Sequence, residues 1–385
     1  MKKTIKDYNV EGKRVIIRCD LNVPIKDNVI EDDTRIRASI KSIKYLSDNK
    51  AKVIVLSHLG KVKEESDKKD NTLFPVSKAL SKFLGKDVYF SKDTSGDNLT
   101  KMVDSLKDGE VLLVENTRFE DLNGNRESGC DLDLAKYWST LGDIFINDAY
   151  GTLHRKHASN VGIAKYLDSG IGFLVEQEVN KIDEILEDNI NPFVVIMGGK
   201  KVNDKIKLIE NMIKISDKII IGGAMAFTFL KALGYNVGSS YVDVDSLDFC
   251  HKILDKYKNK IILPIDFNVG INKRITDFNN TDIGYDIGCD SIILFKDNLK
   301  DAKRVIMNGP LGLFEDDDYT KGTYEILKYL SDNNIKTLIG GGDSAYAVIK
   351  LGFNNKFYHV STGGGATLKY LENRDLPGLE VIDEK

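Results

Sequence analysis

The chain has 385 residues, 42% of them apolar and 30% charged, with a formal net charge of −4. Its length exceeds what one hydrophobic core usually supports, so two domains are expected. The near-balanced charge gives no reason to expect nucleic acid or an anionic membrane as partner, and no apolar run approaches the roughly 18 residues needed to span a bilayer. Met1–Val10 lacks an apolar core and does not read as a signal peptide. Cys19, Cys130, Cys250 and Cys289 lie far apart without a CxxC pair, which suits free thiols in a reducing cytosol.

In chain order, short apolar runs at Arg14–Ile17, Val53–Leu56, Val111–Val114 and Ile144–Ile146 predict strands buried on both faces. Ile36, Ile40, Ile43 and Leu46 recur at helical spacing between the first two. A long amphipathic helix is expected over Phe173–Glu187, linking two halves. Beyond it the strand pattern resumes at Phe193–Met197, Lys218–Ile221, Ile261–Leu263, Arg304–Met307, Thr337–Ile339 and Phe357–Val360. Val202, Ile206, Ile209 and Ile213 predict a helix there, with Lys201 and Lys205 on one face. Strands alternating with helices imply α/β architecture: two doubly wound, parallel-sheet domains over 1–170 and 171–366.

Ligands of open parallel sheets bind beyond the carboxyl ends of the strands. In the first half those ends carry Arg18, Asp20 and Asn22; Ser57-His58-Leu59-Gly60-Lys61; Glu115-Asn116-Thr117-Arg118; and Asn147 to Arg155. Arg35 opens a helix beside them, and most of the scarce arginines fall between Arg14 and Arg155. Guanidinium groups hold phosphate and carboxylate in two-pronged fashion, so this half suits a small acid carrying phosphate. Any single member reads more readily as a cap or surface pair; the recurrence at successive strand ends favours a site.

In the second half the ends carry glycine: Gly198-Gly199-Lys200-Lys201, Gly222-Gly223, Asn308-Gly309-Pro310-Leu311-Gly312, Gly340-Gly341-Gly342-Asp343-Ser344 and Gly363-Gly364-Gly365. Such loops let backbone N–H groups approach phosphate at helix N-termini. Asp343 suits Mg²⁺, which takes one or two carboxylates plus phosphate oxygens. No Gly-Lys pair is followed by Ser or Thr, which excludes a Walker A loop. Gly340 to Ala345 fits a relaxed dinucleotide fingerprint, but the next strand ends in Ser361-Thr362, without the acid that binds ribose.

These motifs, in order, resemble the phosphoglycerate kinase family over nearly the whole chain. They include Arg18-Cys-Asp-Leu-Asn-Val-Pro24, Asp33-Thr-Arg-Ile-Arg37, Ser57-His-Leu-Gly60, Glu115-Asn-Thr-Arg-Phe119, Gly198-Gly-Lys-Lys-Val-Asn-Asp-Lys205 and Gly340-Gly-Gly-Asp-Ser344. The resemblance implies reversible transfer of the acyl phosphate of 1,3-bisphosphoglycerate to ADP with Mg²⁺, by domain closure and charge stabilisation, in a cytoplasmic monomer. It assigns the acid substrate to Asp20, Leu21, Asn22, Arg35, His58, Leu59, Gly60, Lys61, Arg118 and Arg155. The nucleotide falls to Lys201, Lys205, Gly222, Gly223, Gly284, Asn308, Pro310, Gly312, Glu315, Gly341, Gly342, Asp343 and Ser344. Asp343 also takes the metal, and Arg35, Lys201, Lys205 and Gly364 carry catalysis. A tail over 367–385 is implied to return to the first domain.

Some positions depart from the family pattern. Lys61-Val62 stands for Arg-Pro, Lys200 for Ala, and Gln177 for Lys. Asp282-Ile-Gly-Tyr285 stands for Trp-Met-Gly-Leu, Cys289 for Pro, and Met307 for Trp. They leave open the choice between ADP and GDP. A non-catalytic scaffold relative and an NAD-binding dehydrogenase are the alternatives.

Overall fold

The structure, a computed structural model, describes residues 1–271 and 273–385. It divides into two compact units, Met1–Asn180 with Asp375–Lys385, and Lys181–Arg374.

The first unit is built on a six-stranded parallel sheet. Its strands run in the spatial order Val88–Ser91, Val111–Val114, Lys52–Leu56, Arg14–Cys19, Ile144–Asp148 and Ser169–Ile171. In register, Ile16 lies beside Ile54 and Phe145, and Ile17 beside Val55 and Ile146. The four central strands carry unbroken apolar runs because their side chains are buried on both faces of the sheet. The helix Thr34–Asp48 turns Ile36, Ile43 and Leu46 into the same core as Val53, Val55 and Leu113. Two edge strands, Val88–Ser91 and Ser169–Ile171, were not expected from the sequence: one is half exposed, and the other is three residues long with Gly at its centre.

The second unit holds another six-stranded parallel sheet, ordered Ile261–Ile262, Lys218–Ile221, Phe193–Met197, Arg304–Asn308, Lys336–Gly340 and His359–Val360. Counted from its own first strand this is the order 3-2-1-4-5-6, which reverses direction between Phe193–Met197 and Arg304–Asn308. A small antiparallel sheet of Phe267–Gly270, Lys273–Ile275 and Asp286–Ile287 is added on.

The helix Phe173–Glu187 contains the boundary between the units, which falls after Asn180. The return to the first unit begins at Asp375 rather than 367. The helix Gly365–Asn373 stays with the second unit, where the Tyr370 hydroxyl meets Asp183 at 3.0 Å and Glu372 O accepts from Asn211 Nδ2. From Asp375 on, Gly378 N donates to Leu153 O at 2.9 Å, and Lys3 N to Asp383 O at 2.8 Å.

Asp148 ends its strand wholly buried, and its Oδ1 accepts from Leu174 N at 2.8 Å and Val175 N at 3.2 Å, capping the helix Phe173–Glu187. Burial nonetheless pushes this carboxyl up to about 7, against the pull of the Ser42 hydroxyl and those two amides. The folded state therefore binds a proton that the unfolded chain has released, and stability falls as pH rises from the unfolded to the folded value. Asp148→Asn is expected to gain stability relative to the wild type between about pH 4 and about pH 7 and to keep a constant difference above that, measured by thermal unfolding. A constant difference from about pH 4 to about pH 7 would show that the amides outweigh burial.

Candidate active site

In the first unit the polar side chains named from the strand ends do converge. Arg35, in the first turn of its helix, donates through Nη1 to Asp20 Oδ1 at 3.2 Å and to Asn22 O at 3.1 Å. Asn22 Oδ1 accepts from Gly60 N at 2.8 Å, tying the first strand end to the second. Gly60 has φ +58, and a Cβ there would lie 1.9 Å from Asn71 Oδ1, so only glycine fits. Asn116 holds both sides of Leu59, accepting from its N at 3.0 Å and donating to its O at 2.7 Å. Leu21 and Leu59 bury their side chains in the core, so only their backbone is offered to a ligand.

The electrostatics of this cluster are one-sided. Arg18 is fully buried and His58 nearly so, with Arg18 Nη2 3.2 Å from His58 Nδ1. Arg118 is held by Ser128 Oγ at 2.7 Å and Asp121 Oδ2 at 3.3 Å, and its buried Nε has no hydrogen-bond partner. Burial, then Arg18, Arg118, His157 and Arg155, holds His58 well below the usual imidazole range. His157 is driven down to about 3, by burial first and then by Arg118, Arg18 and Arg155. Burial and the charges of Arg118 and Arg35 also lower Arg155. A set of basic groups that perturb one another in this way is a receptor for an anion. Lys61 is exposed beside it.

In the second unit the glycine loops meet where the strand order reverses. Gly199 N donates to Pro310 O at 2.9 Å, Gly223 N to Leu311 O at 3.0 Å, and Met225 N to Gly199 O at 3.0 Å. Gly223 has φ +63, and a Cβ on it would stand 2.6 Å from Gly199 N and 2.8 Å from Pro310 O. Lys205 sends its ammonium back into this junction, donating to Gly198 O at 2.6 Å and Asn308 O at 2.9 Å. Burial lowers it to about 8, with the Asp343 carboxylate opposing. The helices Gly342–Lys350 and Gly365–Asn373 both begin here, and a Cβ on Gly364 would lie 3.9 Å from Gly342 N. Two helix N-termini side by side favour phosphate.

Next to these loops is a cavity of about 370 Å³, walled by Phe227, Phe267 and Tyr285 and edged by Lys200, Glu315 and Asp343. The Tyr285 ring stacks on Tyr319 with centroids 4.6 Å apart, which flattens that wall. Pro310, Gly312, Gly284 and Gly223 line it too. Its apolar walls suit a planar base and its polar rim a ribose and phosphates. Gly222, Gly284 and Gly312 are also packing glycines: a Cβ on each would overlap Leu311, Phe227 or Asp286 at 2.2 to 2.4 Å.

Several expected roles change form. Lys201 and Lys205 do not share a helical face, because the helix starts at Ile206 after a single 3₁₀ turn, Asn203–Lys205. Lys201 is exposed on the preceding loop, while Lys205 is drawn inward. Asn308 spends its amide on Gly340 O at 3.1 Å, and Ser344 Oγ accepts from Gly309 N at 2.6 Å. Both brace the loops rather than face the cavity. Asp343 is exposed at the rim, and among the described residues no group of three or more His, Cys, Asp or Glu is placed to hold a metal ion. One carboxylate beside a phosphate cradle fits Mg²⁺ bound mainly through phosphate oxygens. Glu127, Ser159 and His157, which back the basic cluster, were not singled out; Glu127 sits in a turn with no periodic pattern to mark it.

The chain matches a family model described as "Phosphoglycerate kinase" over residues 5–374. It is 48% identical to phosphoglycerate kinases of Staphylococcus aureus, strains bovine RF122 / ET3-1 and JH9, with both chains covered in full. Among solved structures it is similar to phosphoglycerate kinase from Coxiella burnetii, with a TM-score of 0.88, 32% identity, and 99% of this chain and 98% of that one covered. The enzyme from Pyrococcus horikoshii OT3 gives 0.86 and 30%, with 98% of each chain covered. With both sheets, the glycine junction and the basic cluster in place, the chain belongs to the phosphoglycerate kinase family.

Proposed function

We propose a division of labour for the reaction this enzyme catalyses, reversible transfer of the acyl phosphate of 1,3-bisphosphoglycerate to ADP in glycolysis. The observation that carries it is the pairing of a basic anion receptor on one unit with a glycine-lined slot on the other. Asp20, Asn22, Arg35, His58, Arg118 and Arg155 hold the phosphoglycerate, with Lys61 and the backbone of Leu21, Leu59 and Gly60 at its edge. Phe227, Tyr285 and Gly284 take the base, Glu315 the ribose, and the loops at Gly223, Gly341 and Gly342 the phosphates.

The phosphoryl acceptor is already an anionic oxygen, so the reaction requires no general base and no covalent intermediate. Catalysis consists of positioning and of charge set against the equatorial oxygens of the phosphoryl group in flight. Arg35, Lys201 and the amides after Gly364 supply that charge, and Lys205 anchors the loop from which Lys201 reaches. Mg²⁺ bound at Asp343 would neutralise nucleotide phosphate charge. Bringing two separately held reactants in line requires the units to close, which also excludes water that would hydrolyse the acyl phosphate.

Each site lies within a single unit of the chain, and we propose a monomer acting on small-molecule substrates. All four cysteines are free, and no helix among the described residues is long and apolar enough to cross a membrane; we place the enzyme in the cytoplasm. A dinucleotide reading has no support, since the last strand, His359–Val360, is followed directly by Ser361 and Thr362 rather than by a ribose-binding acid, and Ser361 Oγ is bonded to Thr367 Oγ1.

ATP formation from 1,3-bisphosphoglycerate and ADP tests the assignment. Arg35→Ala is expected to lower kcat about 100-fold or more while leaving the KM for ADP within about threefold. An unchanged kcat would remove Arg35 from the transition state. Because Lys205 loses its proton near about 8, the KM for ATP should climb above that pH in the wild type and lack the bend in Lys205→Met. A bend that survives the substitution would assign it to another group.

A further inference from the structure

Behind the basic cluster lies a layer of buried polar groups that the roles above do not use. Glu127 is fully buried, and its Oε1 accepts from Ser159 Oγ at 2.5 Å and from Thr117 Oγ1 at 3.2 Å. Its Oε2 accepts from Ser159 N at 3.0 Å. The single hydroxyl proton of Ser159 is thus committed to the carboxylate, and its lone pair accepts from Arg18 Nε at 2.8 Å. Arg18 Nη1 donates to Cys19 O, which leaves Nη2 directed at His58 Nδ1, 3.2 Å away.

A guanidinium has donors only, so His58 Nδ1 must accept. The one proton of a neutral imidazole then sits on Nε2, which has no hydrogen-bond partner among the described residues. Burial and the neighbouring guanidinium groups of Arg18, Arg118 and Arg155 all disfavour a second proton on His58, as would a protonated His157. The nearby carboxylates, Glu127 and Asp20, act on Arg18 instead.

We propose that Glu127 and Ser159 are positioning residues that fix Arg18, and through it hold His58 as the neutral Nε2–H tautomer, an uncharged donor to the acid substrate. The inference rests on the reading that the first unit takes the phosphoglycerate. His58 then supplies direction in a site whose charge comes from arginine.

The test is ¹⁵N NMR of the full chain labelled at its five histidines, with His58→Gln identifying the signal. The expected result is one neutral ring, protonated at Nε2, that does not titrate from about pH 5.5 to about pH 8. Ser159→Ala should mix the tautomers and raise the KM for 3-phosphoglycerate about tenfold, with the KM for ATP within about twofold. Glu127→Gln, which keeps an acceptor for Ser159, should fall between. A wild-type ring protonated at Nδ1, or titrating near about 6.5, overturns the proposal even if the variants do not fold. So does a Ser159→Ala protein with unchanged tautomer and KM. A His58 signal that saturating 3-phosphoglycerate does not move overturns the substrate placement itself; a ligand-responsive signal with the wrong tautomer overturns only this inference.

Discussion

Crowding of the buried cations Arg18, Arg118 and Arg155, which denies a second proton to the rings of His58 and His157, is the constraint on which the acid site depends. Burial disfavours each charge, and the neighbouring charges add to the cost, so the imidazoles stay neutral. Carboxylates offset part of this: Asp20 meets Arg35, Asp121 meets Arg118, and Glu127 backs Arg18 through Ser159. The balance left over is positive, and a ligand carrying phosphate and carboxylate relieves it. Such a cluster is held together by the sheet. Parallel strands ending at Cys19, Leu56, Val114 and Asp148 deliver their next residues to one edge, where rigid backbone fixes groups that would otherwise move apart.

The second unit, where we propose the nucleotide phosphates bind, relies on less formal charge. Its loops press together closely enough that Gly223 admits no Cβ, and the N–H groups of two helix starts are presented together. Lys205, tethered to two carbonyls, binds the junction from within. A polyphosphate that must leave after each turnover is better served by oriented amides and a few cations than by a deep arginine cluster. Tyr285 and Lys200, both departures from the family pattern, sit on the wall and rim of the cavity proposed for the nucleotide, so on that proposal they bear on its recognition rather than on the transfer itself.

Much of this was legible in the sequence because buried parallel strands leave unbroken apolar runs, and the residues just past each run are forced to one edge. His58, Arg118 and the glycine loops could be named for that reason, and Arg35 from its place at the start of a helix beside them. The geometry of Lys201 and Lys205 could not: helical spacing placed them on one face, but the chain takes a 3₁₀ turn first, and the helix begins only at Ile206. The edge strands Val88–Ser91 and Ser169–Ile171 are too short or too exposed to give the signal. Glu127 was invisible because its partners, Thr117 and Ser159, and Arg18 beyond Ser159 are not its near neighbours in the chain, and only the fold brings them together. The return at Asp375 depends on tertiary contacts of the helix Gly365–Asn373, which carries no local mark of the unit it belongs to.

The central claim is that two independent sites, one on each unit, hold the acid and the nucleotide. Equilibrium binding of 3-phosphoglycerate and of Mg-ADP to Arg118→Ala and Gly223→Ala tests it most directly. The account predicts that Arg118→Ala weakens 3-phosphoglycerate alone and that Gly223→Ala weakens the nucleotide alone, each by about tenfold or more. A folded variant that loses both ligands, or the opposite one, would contradict it.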